Sequence, residues 1–564
     1  MAEYPWLAGY PDGVAWDAEL VARPMTAVID DSAARFPDRP CIDFLGRKFT
    51  YRELGRLVDR AARGFQELGV KKGTRVGLFL PNCPQFVISY FGVLRAGGIV
   101  VAYSPLYSAA QLRHQIEDSG TEIIVTMDLE VLYPKIRSLL NGAPLAKLVV
   151  GTMQEVLPFP KSVLFPLLKR ADIAKTRRDE SELTFAELIA NDGGPVDVDL
   201  DPEHDIAVLQ YTGGTTGVPK GAMLSHANLY ANAQQARHWL VGVEYGQERM
   251  MGALPFFHVF AMSVVMNLAL LIGGEILMHP RFNLGAVLKD IHKKRPTLVP
   301  GVPTMFAAIN QSPLLPELDL TSIKFCISGG APLPVEVKER FEALSSCKLV
   351  EGYGLTETSP VAVCNPLYGV NKAASIGVPL PRTVIEVFDP EDPERKLGLG
   401  ERGEIHVSGP QVMSGYWNQP EETANTLRAG RLRTGDIGYM DDDGYVFLID
   451  RIKDLILVGG FNVYPRTVEE AIYEHDAVAE VIVIGIPDEV RGQAVKAFVK
   501  LAAGKKLVAD TLLEFLSARI GRHEMPKEIE FRDELPKTMV GKLSKKELVE
   551  EEEAKYAARR AATA

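Results

Sequence analysis

Between Tyr211 and Gly221 the chain reads YTGGTTGVPKG, four glycines and three threonines around a single lysine. Gly213, Gly214 and Gly217 let backbone N–H groups approach an anion closely, and the hydroxyls of Thr212, Thr215 and Thr216 add donors. Such a loop is suited to wrapping phosphate. It is not the phosphate loop of P-loop ATPases, GxxxxGK followed by Ser or Thr and running straight into a helix. Lys220 follows Pro219, whose ring disfavours helical geometry at Val218, and Gly221 stands where a metal-binding hydroxyl is needed. Nor does it read as a linker, because the apolar runs IAVLQY and GAMLSH hold it at both ends.

Other polar side chains carry no such signal when taken singly. Glu357 is one glutamate among many and reads as a solvated charge. Asp436, after Gly435, reads as a turn aspartate, and Arg451 as an exposed arginine at a boundary. Lys542 sits in a basic stretch with Lys537, Lys545 and Lys546, and His258 lies in an apolar run where a satisfied core histidine is common.

The elements that position these residues follow from the hydrophobic pattern. Thr50 and Glu53 form a capping box, and Leu54, Leu57, Val58, Ala61, Phe65 and Leu68 follow at helical spacing until Gly69. Short apolar runs, RVGLFLPN, EIIVTMD, KLVVGT, KFCISGG and KLVEGYG, alternate with helices, which predicts an α/β chain with mostly parallel sheets and ligands at the strands' carboxyl ends. From about residue 380 to 450, TVIEVFD, GEIHVSGP and GYVFLIDR predict a small β-rich subdomain. Beyond Arg451 the pattern is again mixed, with TVEEAIYEH, EVIVIGIPDE, AVKAFVKL and TLLEFLSARI, and the last residues, EEEAKYAARRAATA, read as a solvated, fraying helical tail.

Composition narrows the function. At 564 residues with 46% hydrophobic positions, the chain can build several cores. Its net charge of -11 disfavours a general nucleic-acid surface, so an anion must be gripped locally. Five scattered cysteines without a CxxC pair, and no basic and apolar leader, point to a reducing cytoplasm. The uncharged run from Met250 to Gly274 is long enough to span a membrane, but Pro255, His258, Asn267 and Gly273-Gly274 interrupt it, which favours a buried helix. Residues 158–178, PFPKSVLFPLLKRADIAKTRR, interleave apolar residues with Lys161, Lys169, Arg170, Lys175, Arg177 and Arg178. They read equally as a membrane-surface segment or as a solvated loop over its own apolar patch.

The full string YTGGTTGVPKGAMLSH resembles the signature loop of the adenylate-forming superfamily, which comprises acyl-CoA synthetases, adenylation domains and luciferases. The resemblance extends through PFFHVF at 255, SGGAPLP at 328, GYGLTET at 352, TGD at 434, DRIKDLI at 450 and PKTMVGK at 536. WLAGYP, PQVMSGYWNQPEET and GFNVYP look closest to bacterial long-chain fatty-acid CoA ligases.

The resemblance implies a large N-terminal domain of packed α/β subdomains over 1–450, including the β-rich part, and a small mobile α+β domain over 451–564. It implies ATP and CoA as co-substrates, Mg²⁺ on Glu357 and Thr212, and Lys542 meeting the carboxylate and α-phosphate. Tyr211, the loop from Thr212 to Lys220, Gly329, Gly330, Ala331, Gly352, Tyr353, Gly354, Leu355 and Thr356 would surround the nucleotide. Asp436 and Arg451 would reach the ribose and Lys453 would be the hinge. His258, Val302 and Gly329 would border the acyl pocket, with small residues such as Gly252, Ala253, Ala261 and Gly301 leaving room for an alkyl tunnel. Gly459, Gly460 and Phe461 would approach CoA. No Ser/His/Asp or cysteine nucleophile motif accompanies these segments, so no covalent acyl-enzyme is expected. Preferred chain length and a homodimer stay open.

Overall fold

The computed structural model describes residues 4–140, 142, 144–177, 179–212, 219–459, 461–488, 491–538 and 543–563, the side chains of 461, 462 and 559–563 aside. Two large sheets carry the N-terminal part. Five parallel strands, Ile206–Thr212, Ile99–Ala102, Arg75–Leu78, Ile123–Met127 and Lys147–Gly151, neighbour one another in that order. They read as continuous apolar runs because helices cover both faces of such a sheet. The helix Tyr51–Glu67 is one cover: the Thr50 hydroxyl accepts the Glu53 amide at its start, Leu54, Val58, Ala61 and Phe65 are fully buried, and Gly69 adopts φ +93 just beyond its end.

The other sheet runs Leu349–Gly354, Phe325–Gly329, Leu298–Gly301, Arg249–Gly252, Glu275–Met278 and Pro40–Phe44, all parallel, with antiparallel strands closing its two edges. A β-rich subdomain follows, built around Arg431–Met440 paired with Gly403–Ser408 and Val446–Arg451. The chain then builds its last sheet from Ile456–Val458, Phe461–Val463, Val478–Asp488, Gly492–Leu501 and Glu528–Phe531. The apolar cores follow this division: one extends from Trp6 to Val446, and two smaller ones lie within Ile456–Leu548.

Two sequence expectations change. The run 250–274 is buried, yet it is not one helix: Arg249–Gly252 is a strand, and a π-helical stretch, Ala261–Asn267, continues as the helix Leu268–Leu271. Pro255 separates the two, and Gly252 sits where an added Cβ would come within 2.7 Å of Ile276 on the next strand. Among the described residues no helix is long and apolar enough to cross a membrane. The C-terminal tail, part of the helix Lys546–Thr563, is more than a solvated extension. Within it the buried Glu552 pairs at 2.9 Å with Lys496, whose side chain is 5% exposed, and just ahead of it in the same helix Leu548 is fully buried. Charge-rich sequence hid this contact, because the apolar anchor is a single residue. Two of the glycines near the expected acyl pocket are closely packed: a Cβ at Gly301 would lie 2.8 Å from the Phe306 ring, and one at Gly329 2.9 Å from the Phe260 ring. Larger neighbours have packed into the space that the glycines vacate.

Candidate functional site

The strands Ile206–Thr212 and Lys220–Ser225 form an antiparallel hairpin, with Thr212 opposite Lys220. The phosphate-type loop therefore joins two strands, where a P-loop would join a strand to a helix. Gly213, Gly214, Thr215, Thr216 and Gly217 lie outside the described residues, as do Gly460 and Lys542. Tyr211 is buried at the loop's base, with its hydroxyl donated to Asp118 and its ring 3.2 Å from where a Cβ on Gly221 would stand. Its side chain ties the hairpin to the helix Ala109–Ser119.

PQVMSGYWNQPEET crosses this hairpin. Gly415 and Tyr416 pair with Met223 and Ala222, and the Tyr416 hydroxyl donates to Glu357 Oε1 at 2.6 Å. Lys220 Nζ lies 5.3 Å from the Tyr416 ring centroid and pairs with Glu422. Glu357 itself sits in the short turn Thr356–Thr358, which packs against both hairpin strands. The Met413 amide donates to its carbonyl at 2.8 Å. A carboxylate, a cation and the two strand ends that flank the glycine-threonine loop thus meet at the carboxyl end of a sheet, the edge where α/β folds bind ligands. Sequence reading had not singled out Tyr416, Glu422 or Asp118; each is joined to the site by contacts more than fifty residues away along the chain, which periodicity does not register.

A second cluster adjoins the first. Tyr353 and Glu357 belong to one motif, and the Tyr353 hydroxyl donates to Asp436 Oδ2 at 2.6 Å while Arg451 Nε donates to Oδ1 at 3.0 Å. Burial raises the Tyr353 phenol well above its ordinary pKa, and the facing Asp436 carboxylate adds to this. Arg451 is raised too, chiefly by Asp436. Lys453 is lowered by partial burial and by Arg451, with Lys220 a further repelling charge.

The floor beside Tyr353 is glycine. Gly329 and Gly352 are opposed on adjacent parallel strands, Gly330 adopts φ +81, and Ala331 is half-buried. At Gly354 a Cβ would lie 1.8 Å from the Pro360 carbonyl oxygen, so no side chain fits. The Leu355 amide donates to that same carbonyl at 3.1 Å, folding the motif back toward Glu357.

His258 is half-buried and its Nδ1 accepts the Phe260 amide at 3.2 Å. Val302 is buried at the head of the helix Pro303–Asn310. Behind the strand ends carrying Val302 and Gly329 lies an apolar cavity of about 50 Å³, lined by Trp239, Val264, Leu268, Leu298, Val299 and Ile327 among others. Gly459 adopts φ +57 at the end of Ile456–Val458, with open space where a Cβ would be, and Phe461 begins the strand paired with it.

This hairpin loop, the carboxylate of Glu357 and the Tyr353–Asp436–Arg451 cluster, on a large α/β part followed by a small α+β domain, define an adenylate-forming enzyme. The chain belongs to the AMP-binding enzyme family, whose model matches residues 29–417, and the AMP-binding enzyme C-terminal domain matches 467–542. It is 46% identical to the long-chain-fatty-acid–CoA ligase of Bacillus subtilis (strain 168), over 98% of both chains, and 37% identical to that of Yersinia pestis, again over 98% of both. The ATP-bound crystal structure of MatB from Rhodopseudomonas palustris superposes with a TM-score of 0.79 at 29% identity, covering 94% of this chain and 99% of MatB.

Proposed function

We propose that the protein is an AMP-forming long-chain-fatty-acid–CoA ligase. A fatty carboxylate oxygen attacks the α-phosphorus of ATP and pyrophosphate leaves; the CoA thiol then attacks the acyl carbonyl of the adenylate and AMP departs. Activation is required because a carboxylate resists attack by a thiol, whereas AMP is a good leaving group. The observation that supports this reading best is the full-length similarity to long-chain ligases combined with the Glu357–Tyr416–Lys220 grouping beside the loop.

In this reading the loop and Lys220 bind the pyrophosphate part of ATP, and Asp436 and Arg451 hold the ribose. Tyr353, with the glycine floor, accepts the adenine. Lys542 meets the carboxylate and α-phosphate, where a cation stabilises charge as pyrophosphate leaves. Mg²⁺ fits the donor set: Mg²⁺ bound with a nucleotide uses one or two protein oxygens plus the phosphates, and Glu357 and Thr212 supply hard oxygens of that kind. The Glu357 carboxylate, oriented by Tyr416, and the Thr212 hydroxyl would hold it, and when bound it neutralises phosphate charge. Lys453 is the hinge about which the domain from 451 onward turns, bringing Gly459, Gly460 and Phe461 to CoA for the second step.

The apolar cavity is too small for a long chain, so the acyl group would enter between the sheet and the helix after Phe260 and displace side chains there. The deciding experiment is release of AMP and consumption of CoA across saturated acids from short to long. Long acids should give the highest kcat/KM; a maximum at short or aromatic acids would favour the medium-chain or aryl ligase reading. Product that stops at acyl-AMP would mark a fatty acyl-AMP ligase, and no turnover would leave a nucleotide-binding protein, against which Lys542 and Glu357 both argue.

A further inference from the structure

The segment that the sequence left undecided has an inverted face. In the helix Lys161–Leu168 no residue is buried, and Val163, Leu164, Leu167 and Leu168 point outward at 57%, 44%, 72% and 76% exposure. Phe165 alone packs against the core, and Phe159, just before the helix, is 84% exposed. Phe159, Leu167 and Leu168 are the three most exposed large apolar side chains among the described residues. Surface helices normally turn such a stripe inward, and isolated exposed apolar residues are unremarkable, but five within ten residues form a patch that water does not favour.

Charge surrounds the patch. Lys161, Lys169, Arg170, Lys175 and Arg177 are exposed, and Asp172 is the acidic residue among 158–177, on a chain whose net charge is -11. Lys161 Nζ donates to the Leu45 carbonyl at 2.7 Å, Lys169 pairs with Asp172 at 3.3 Å, and Lys175 and Arg177 line a groove with Arg137 and Glu130. The patch emerges from the carboxyl end of Lys147–Gly151. The parallel order of the sheet puts that end on the same edge as the end of Ile206–Thr212, where the phosphate-type loop begins. Four strand spacings separate them, roughly 19 Å.

We propose that Phe159 and the helix Lys161–Leu168 dock the protein on an anionic lipid bilayer, the apolar side chains entering the headgroup–acyl boundary and the flanking lysines and arginines contacting lipid phosphates. The partner is a bilayer surface because the patch is exposed and apolar with basic residues on both sides of it in the chain, the pattern of helices that lie in the interface plane. With eight residues the helix is far too short to span. An overall acidic protein would be repelled by anionic lipid unless its positive charge were concentrated at the contact, as it is here. The docked face is the sheet edge that carries the phosphate-type loop.

The full-length protein should co-sediment with phosphatidylcholine vesicles containing about one third phosphatidylglycerol, and far less with phosphatidylcholine alone. Each basic residue near such a surface is worth about fivefold in partitioning, so K169E/R170E should reduce binding by about 25-fold or more, and 1 M salt should do likewise. L167D/L168D should abolish binding to both vesicle types. Both variants should keep the wild-type melting temperature and nucleotide binding, because the altered side chains lie outside the site. Unchanged binding of L167D/L168D would overturn the proposal. So would wild-type dimers, seen by light scattering, that dissociate in L167D/L168D while vesicles never bind, since the patch would then be an interface between copies of this chain. Binding is measured without substrate, so its failure leaves the ligase reading untouched.

Discussion

Arg451 Nε donates to Asp436 Oδ1 at 3.0 Å from directly opposite positions on the paired strands Arg431–Met440 and Val446–Arg451. The sheet register therefore fixes this ion pair, and the Tyr353 hydroxyl locks the other carboxylate oxygen. Two carboxylate oxygens offer about four acceptor sites, so both ribose hydroxyls can still be taken.

Asp436→Asn keeps the shape but leaves Arg451 without its countercharge. Hydrogen bonds to charged groups are worth about 1.5–3 kcal/mol, so kcat/KM for ATP should fall roughly 10- to 100-fold. Tyr353→Phe, which removes one hydroxyl, should cost less. ATP–pyrophosphate exchange reads both; a rise in KM for the fatty acid with ATP unaffected would refute the ribose assignment.

Lys542→Ala separates the half-reactions. Acyl-AMP formation should drop by about 10²–10³, the usual cost of losing one stabilising donor in a transition state. Thioester formation from supplied acyl-AMP should stay near wild type. Equal loss in both steps would mean that Lys542 is not specific to adenylation.

Much of this architecture is legible in the chain. EIIVTMD and KLVVGT read as buried parallel strands because helices on both faces demand unbroken apolar runs. The Pro219–Lys220–Gly221 sequence excluded a helix after the loop, and a hairpin strand stands there. What stayed hidden was pairing across distance. Tyr416 reaching Glu357, and Tyr211 reaching Asp118, depend on how elements far apart in the chain meet. Exposure was equally illegible at Leu167 and Leu168, since a run such as KSVLFPLL packs inward as readily as outward until its neighbours are known.

Lys545 should hold the last helix and the region after Lys453 together. Burial opposes its charge, yet Glu469, Asp450 and Asp454 outweigh that and keep its pKa above the ordinary value. Its ammonium lies 3.5 Å from Glu469 and 3.9 Å from Asp454. Lys545→Met leaves these carboxylates without their cation and should destabilise this domain, by less than the ~3–5 kcal/mol of a fully buried pair because Lys545, Glu469 and Asp454 are all partly exposed. Hydrogen exchange should accelerate across Pro465–Tyr473 and Lys546–Thr563 with the N-terminal sheets unaffected. Unchanged protection there would show that the cluster is not what secures these helices.

Glu351 gives the protein a pH dependence of definite sign. The side chain is buried beneath Gly330–Leu333, where the Leu333 amide donates to Oε2 at 3.3 Å. Burial pushes its pKa up to about 7, against a smaller downward pull from Arg466. A carboxyl whose folded pKa exceeds its unfolded one stabilises fully below the unfolded value, and that contribution disappears as pH rises through the folded value. Thermal stability should therefore decline between about pH 4.5 and 7, by at most about 1.4 kcal/mol per pH unit from this group. Glu351→Gln keeps an acceptor for the Leu333 amide and removes the ionisation. Melting temperatures measured from pH 5 to 8 should converge for the two proteins at the acidic end, with the variant ahead at pH 8. Parallel curves would mean that Glu351 is ionised throughout, with Arg466 and Lys338 compensating its burial.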